Sequence, residues 1–222
     1  MAIADHWPLF GLRVRTPRLE LRYPDDELAT EVAELAALGI HEPGFRPFAR
    51  AWDEVPPPHL QRNTLQHHWG NRASWTPRSW HCPLVVVADG RVIGTQGILA
   101  DDFPTLRTVK TGSWLGRSHQ GRGFGTEMRQ AVLHLAFSGL DAVRAESGAW
   151  HDNAASLNVS GKLGYEGNGD ERRLRGDEPD REIRLVLTRE RWEQHRRDDI
   201  EIIDLEPCLP FFGAVDGEWL RP

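Results

Sequence analysis

The sequence has few of the features that mark secreted or membrane proteins. Its 222 residues include only two cysteines, Cys82 and Cys208, which is too few for a disulfide framework and leads us to expect a reducing, cytoplasmic setting. No run approaches the roughly 20 apolar residues of a membrane helix, and the first residues show no leader pattern, so we expect no membrane association. The net charge of −6 argues against nucleic-acid binding.

What the chain does contain is enough apolar sequence for one core, since 39% of the residues are hydrophobic and nine are tryptophan. Periodicity and turn residues predict strands at Leu9–Val14, Arg18–Tyr23, Leu84–Ala88, Val92–Leu99, Val109–Leu115, Ala142–Ser147, Tyr165 onward, Glu182–Leu187 and Ile200–Ile203. They predict helices from Asp25 or Asp26 to Gly39, over Leu60–Trp69, from about Gly123 to Gly139, over Ala154–Leu163 and from Thr188 to Trp192. This order indicates an α+β protein with one central, mostly antiparallel sheet.

A glycine-rich turn is the most informative segment. Gly121, Gly123 and Gly125 follow an apolar strand-like segment and lead into a predicted helix. Glycines let the backbone approach a ligand closely, and the first amides of a helix, at the positive end of its dipole, bind phosphate well. We therefore expect a phosphate-bearing ligand at this turn.

Two common phosphate-binding motifs fit this turn poorly. A nucleotide-hydrolysing P-loop needs Gly-Lys-Ser/Thr after the glycines, whereas Gly125 is followed by Thr126 and Glu127. A dinucleotide-binding fingerprint needs a third glycine where Thr126 stands, although Glu146 lies at a plausible distance for the acidic residue. About half the chain also precedes the motif. A dinucleotide-dependent enzyme therefore remains a less favoured alternative.

Two blocks of sequence together resemble one family. Gln120–Gly125 resembles the acyl-CoA loop of the GNAT (Gcn5-related) N-acyltransferases, and His151–Ser156 with Gly161–Tyr165 resembles their Asn-x-x-Ser and Lys-x-Gly-Tyr block. That block, and the opening Arg15–Arg22, is similar to the subgroup that acetylates the N-termini of ribosomal proteins. The resemblance implies a GNAT domain over residues 1–192, with a sheet splayed between two strands, and an extension over residues 193–222 that packs on the domain or on a partner subunit.

Four further segments resemble an actinobacterial GNAT protein that uses succinyl-CoA, namely Trp7–Phe10, Ser113–Gly116, Gly125–Arg129 and Pro210–Gly213. The sequence does not decide between an acetyl and a succinyl donor. The acceptor implied by the resemblance is a primary amine of a protein N-terminus, a lysine or a small molecule. The many tryptophans and the extension lead us to expect a homodimer or a higher homo-oligomer.

The resemblance also implies cofactor-binding residues. Backbone groups of Trp114 and Leu115 would pair with the pantetheine arm, and Asn153 and Ser156 would contact it. The amides of the loop would bind the pyrophosphate, with Arg122 adding charge; the loop residues are Gln120, Gly121, Arg122, Gly123, Phe124, Gly125 and Thr126.

For catalysis, we expect the backbone at Leu115 to donate to the developing oxyanion. Many GNAT enzymes use a tyrosine acid where this chain has Ser160, so we expect Ser156 to be the acid or to polarise the sulfur; alternatively, Ser156 only supports the start of its helix. Glu146 is the candidate base, or else a satisfied charge at a strand end. Because the sequence assigns neither the general acid nor the general base with certainty, a CoA-binding module that catalyses no reaction is the alternative function.

Candidate substrate-binding residues lie in the aromatic loop after the first predicted helix. Arg46 and Arg50 are candidates to bind a succinyl carboxylate, unless they are simply solvated, and Phe48 and Trp52 are candidates for the acceptor wall. The histidines lack the paired spacing of a zinc site, so we expect no metal.

Overall fold

The computed structural model describes residues 2–215. In this range the strands are β1 Arg13–Arg15, β2 Glu20–Arg22, β3 Trp80–Ala88, β4 Arg91–Ala100, β5 Thr108–Leu115, β6 Arg144–Trp150, β7 Glu166–Arg175, β8 Glu178–Thr188 and β9 Glu201–Ile203. The helices are α1 Asp26–Ala37, α2 His59–Ala73, the single turn α3 Phe103–Leu106, α4 Phe124–His134, α5 Ala154–Lys162 and α6 Arg189–His195. A π-helical turn, Leu135–Gly139, extends α4. None of these helices is long and apolar enough to cross a bilayer.

The nine strands form one sheet in the order β7-β8-β6-β5-β4-β3-β2-β1-β9. Among the described strands every neighbouring pair is antiparallel except β5 and β6, which are parallel and pair only over residues 108–110 and 144–146. Beyond that point the two strands separate. We call the opening between residues 111–115 of β5 and 147–150 of β6 the fork. The predicted α+β class and the splayed, mostly antiparallel sheet are confirmed.

Local chemistry explains where several elements begin and turn. The Asp25 carboxylate accepts the Leu28 amide and caps α1, as the sequence predicts. Asp89 and Gly90 join β3 to β4 with φ values of 49° and 73°, the left-handed pair that a type I′ turn requires. The Thr188 hydroxyl accepts the Arg191 amide at the start of α6.

Some predicted bounds were wrong. The strand predicted over Leu9–Val14 is instead a 3₁₀ turn at Pro8–Phe10 followed by the short β1, because Pro8 fixes φ at the first position of that turn. Helix α2 runs past its predicted end at Trp69 to Ala73, through Gly70. The β7–β8 turn is only Gly176 and Asp177, which makes β8 longer than its predicted range of Glu182–Leu187.

Both faces of the sheet are covered. The larger core lies between the sheet and α4, and its fully buried side chains include Leu84, Ile98, Leu133 and Phe137. On the other face, α1 and α2 pack over smaller apolar clusters that both include Trp114. Trp114 therefore lies at the base of the α1–α2 layer, beside the fork.

The chain after α6 packs back on the domain. Strand β9 pairs with β1 at the edge of the sheet, with Ile203 opposite Arg13. Further on, the carbonyl oxygens of Phe211 and Phe212 accept the indole N–H groups of Trp75 and Trp80 at 2.8 and 3.0 Å. Residues 216–222 of the predicted extension lie outside the described residues.

Candidate active site

The glycine loop presents a row of backbone amides without protein partners. Gly121 and Gly123 have φ values of +74° and +82°, and Gly123 lies at the N-cap of α4, which begins at Phe124. Within the described chain, the amides of residues 121–126 donate to no side chain and to no backbone carbonyl; the next amide, of Glu127, donates to the Gly123 carbonyl. Successive free amides at a helix start bind anions. The loop therefore has free amides of the kind that bind anions, and phosphate binding at this loop stays a prediction.

A buried carboxylate fixes this loop against the first strands. Glu127, 3% exposed, accepts the Thr16 hydroxyl at 2.6 Å and the Arg18 Nε at 2.6 Å. Burial raises the pKa of Glu127, but the hydrogen bonds from Thr16 and Arg18 outweigh it, so the net pKa is lowered. Arg18 in turn donates to the Arg122 carbonyl at 3.1 Å and lies over the Phe124 ring at 4.8 Å. This network was not predicted, since no local pattern connects residues more than 100 positions apart.

The first loop residue has a structural task. The Gln120 side chain donates from Nε2 to the carbonyl oxygens of Ile40 at 2.6 Å and Leu115 at 2.9 Å, so it ties the loop to the end of β5 and to the chain after α1. By contrast, Arg122 is exposed, and within residues 2–215 its guanidinium forms no hydrogen bond, ion pair or ring contact. Arg122 is therefore available to a ligand on the loop.

The end of β5 turns one amide toward the fork. Gly116 donates its N–H to Ile93 on β4 at 3.0 Å. Because adjacent amides of a strand point to opposite edges, we infer that the Leu115 amide is directed into the fork. A Cβ at Gly94 would lie 2.2 Å from the Trp114 carbonyl oxygen, so this close approach of β4 and β5 requires glycine.

An aromatic wall extends from β5 into the loop between α1 and α2. The Trp114 ring centroid lies 6.0 Å from that of Trp52, which lies 5.3 Å from that of Phe48. The predicted acceptor-wall residues Phe48 and Trp52 are thus brought together beside Trp114, which was predicted to bind the cofactor. Arg46 pairs with Glu54 at 3.1 Å, whereas Arg50 is exposed and has no charged partner among the described residues.

On the other side of the fork, α5 begins with a side-chain cap. The Asn153 Oδ1 accepts the Ser156 amide at 3.1 Å, which occupies the Asn153 oxygen and leaves the Ser156 hydroxyl without a partner in the described chain. Ser160 is fully buried. Glu146 pairs with Arg144 at 2.9 Å. The structure thus places Ser156 and Glu146 on separate elements that flank the fork.

One arginine that the sequence analysis missed joins the two sides of this region. Arg175, at the end of β7, donates to both carboxylate oxygens of Asp152 at 3.0 Å and to the Arg46 carbonyl at 2.7 Å. Next to it, the Gly176 amide donates to the Ala49 carbonyl at 2.8 Å. The tip of the β7–β8 hairpin therefore contacts the aromatic loop. No sequence signal pairs residues so far apart.

The histidines form a cluster of their own. His67 lies 5.5 Å from His81 between ring centroids, and burial lowers the pKa of both His68 and His81 to about 4. No group of three His, Cys, Asp or Glu side chains in residues 2–215 is arranged to hold a metal ion.

Comparison with known proteins identifies the family. The family model for the acetyltransferase (GNAT) domain matches residues 18–166, which is more than half of the chain. The chain belongs to the GNAT family. Two curated Bacillus proteins align with part of this GNAT chain. "Probable N-acetyltransferase YjcK" of Bacillus subtilis (strain 168) is 31% identical over 90 residues, which cover 40% of the chain and 50% of that protein. "Uncharacterized N-acetyltransferase p20" of Bacillus licheniformis is 30% identical over 86 residues, which cover 39% and 48%. The chain thus spans about half the length of each relative.

Solved structures share the fold. RimL, the ribosomal L7/L12 alpha-N-protein acetyltransferase in complex with coenzyme A, superposes with a TM-score of 0.63 at 18% identity, over 78% of this GNAT chain and 95% of RimL. RimJ of Mycobacterium smegmatis, in complex with CoA-disulfide, superposes with a TM-score of 0.63 at 20% identity, over 80% and 86%. These likenesses support the fold, and the free amides of residues 121–126 fit the diphosphate of a CoA ester.

Proposed function

We propose that this protein is an N-acyltransferase that moves an acetyl or succinyl group from acyl-CoA to a primary amine by direct attack. The observation that carries the proposal is the row of free amides over residues 121–126, which lies next to a fork that begins where β5 and β6 stop pairing. An anion-binding helix start beside an open strand edge suits a ligand with a diphosphate and an extended amide-bearing arm.

In this proposal the loop amides and Arg122 bind the diphosphate. The free edge of β5 at Trp114 and Leu115 pairs with the pantetheine amides, as an added strand would. Asn153 and Ser156 contact the arm from the start of α5; the Asn153 oxygen is engaged in the helix cap, so its Nδ2 group is the part left to donate.

Acyl-CoA supplies an activated thioester. The protein has to bind and orient this thioester and to transfer protons during the reaction. The Leu115 amide donates to the carbonyl oxygen as negative charge develops there. The Ser156 hydroxyl protonates or polarises the sulfur. Glu146 lies opposite Lys110 in the β5–β6 pairing. Because alternate residues of a strand share a face, Lys110, Glu146 and Trp114 lie on the same side of the sheet. From there Glu146 accepts the amine proton directly or through water. To do so it has to give up its contact with Arg144.

Residues of the aromatic loop are the candidates to select the acyl donor and the amine acceptor. Because Arg46 is already paired with Glu54, Arg50 is the better candidate to bind a succinyl carboxylate. Phe48 and Trp52, with Trp114, form the wall against which the acceptor amine and its chain pack. The similarity to RimL, whose name states that it acetylates a protein N-terminus, supports such a terminus as the first acceptor to test. We further propose that the reaction takes place in the cytoplasm and that the enzyme is a homodimer or a higher homo-oligomer.

The test is release of free thiol from acetyl-CoA and from succinyl-CoA in the presence of peptides with free N-termini, lysine peptides and small amines, with the product identified by mass spectrometry. Amine-stimulated release is expected, and Arg50→Ala should reduce kcat/KM for succinyl-CoA more than for acetyl-CoA. Binding of CoA without release for any amine would instead favour the non-catalytic module, which the engaged Asn153 and Glu146 side chains make the second candidate.

A further inference from the structure

Arg129 is a buried cation without a carboxylate partner. It lies on α4 and is 3% exposed. Its guanidinium donates to Gln96 Oε1 at 3.3 Å, to Ser147 Oγ at 3.2 Å and to Ser113 Oγ at 3.2 Å. Buried charges are usually neutralised by an opposite charge, yet no acidic side chain in residues 2–215 forms an ion pair with Arg129. These three acceptors are neutral oxygens from three different strands, and the Tyr165 hydroxyl is a further neutral hydrogen-bond partner of Arg129.

These contacts begin where the backbone pairing of β5 and β6 ends. The last paired residues are Lys110 and Glu146. One residue further along β5, the Thr111 hydroxyl donates to the Glu146 carbonyl at 3.4 Å. Beyond that, the guanidinium of Arg129 joins Ser113 on β5 to Ser147 on β6. Side chains thus take over from the backbone in connecting the two strands.

We propose that Arg129 is a positioning residue that sets the width of the fork, and that it thereby fixes the Leu115 amide relative to β6. The inference rests on the proposed function insofar as the fork receives acyl-CoA. A planar guanidinium donates to two hydroxyls in fixed directions, which the single ammonium of lysine does not reproduce. Displacing catalytic groups by about 1 Å costs about 100-fold in rate.

The test compares Arg129→Lys and the double variant Ser113→Ala/Ser147→Ala with the control Arg107→Lys. Arg107 is also partly buried and also donates to neutral oxygens, the carbonyls of Leu140 and Ala214, but it precedes the paired end of β5, away from the fork. Three quantities are measured: hydrogen exchange of the ligand-free protein, the Kd for CoA, and the separate KM values for acyl-CoA and amine.

We expect Arg129→Lys to raise the Kd for CoA and the KM for acyl-CoA by about tenfold or more, and to lower kcat. Exchange should accelerate at residues 111–115 and 147–150, while the β3–β4 hairpin keeps its protection. The double serine variant, which keeps the charge, should reproduce most of this effect. Arg107→Lys should lower the melting temperature without moving the Kd.

A folded Arg129→Lys protein with wild-type exchange at the fork and a CoA Kd within about twofold of wild type would overturn the proposal. Should Arg129→Lys fail to fold, the double serine variant decides by the same two readouts. If wild-type protein binds CoA but transfers no acyl group, the proposed function is wrong. The hydrogen-exchange and Kd measurements would still show whether Arg129 sets the width of the fork.

Discussion

Gly123 offers the sharpest test of the loop that would bind diphosphate. Its φ of +82° lies in the left-handed region, where a residue with a Cβ is strained by about 1–2 kcal/mol. The new methyl of Gly123→Ala would lie 3.4 Å from Arg18 Nη2, at the end of a flexible side chain, so it would meet little other obstruction. The loop is expected to relieve the strain by leaving this conformation, which turns its amides away.

The expected losses of affinity differ between two substitutions. Losing one hydrogen bond to a charged group costs about 1.5–3 kcal/mol, so Gly123→Ala should weaken CoA binding by roughly 10- to 150-fold. Gly123→Asp adds a carboxylate about 4 Å from the diphosphate, which costs about a further 4 kcal/mol at an effective dielectric constant of about 20. Gly123→Asp should therefore weaken CoA binding by about 10⁴-fold or more.

The matched control is Gly90→Ala. Gly90 has a φ of +73° in the β3–β4 turn with open space around it, so alanine suffers the same backbone strain far from the loop. Titration calorimetry gives the Kd for CoA, and thermal unfolding gives the stability loss. Both alanine variants should lose about 1–2 kcal/mol of stability, and only Gly123→Ala should lose affinity. Unchanged affinity in Gly123→Asp, or equal loss of affinity in Gly90→Ala, would refute the reasoning.

Three further predictions concern other contacts. Glu127→Gln should lower the free energy of unfolding by about 1–2 kcal/mol at neutral pH, because it removes the charge-assisted hydrogen bonds with Arg18, whose half-exposed guanidinium water can still solvate. Since the pKa of Glu127 is lowered on folding, wild-type protein should lose this contribution as the pH falls below about 4.3 through the folded-state pKa, and urea titrations of both proteins should converge there. Burial lowers the pKa of His68 to about 4, so the folded state binds the proton of this histidine less readily than the unfolded state does. The free energy of unfolding of wild-type protein should therefore be unaffected by His68 above about pH 6.5 and decrease as the pH falls from 6.5 toward 4. His68→Leu should reduce this decrease by up to about 3 kcal/mol. Arg175→Lys should raise the KM for the amine several-fold and leave that for acyl-CoA unchanged, because it loosens the contact between the hairpin tip and the aromatic loop; parallel changes in both constants would contradict this.

Features set by local chemistry could be predicted from the sequence. The Asp89-Gly90 turn, the Asp25 cap and the start of α4 after Gly123 each depend on a few neighbouring residues, and the structure confirms all three. The order of these elements was enough to predict the fold class. The packing of Phe48 and Trp52 was also expected, because both lie in one apolar loop that has to pack somewhere, whereas their role as an acceptor wall stays a prediction.

Contacts between distant segments could not be predicted in this way. Arg129 reads in sequence as one polar residue on an amphipathic helix, and only the sheet brings the two serine hydroxyls to it. Arg175 likewise reads as a solvated charge on a hairpin. Gln120, expected at the ligand, has its amide group directed to two backbone carbonyls instead. Each outcome depends on tertiary burial, which outweighs local preference.

The pairing of β1 with β9 has a consequence for how the polypeptide is made. Arg13 lies opposite Ile203, so β1 finds its outer neighbour only after all the elements between β1 and β9 have been synthesised. Until then one side of an early β-ribbon stays open to pairing with other nascent chains. Closing a contact of such sequence separation is slow, so the docking of β9 on β1 should be a late step in the folding of this domain.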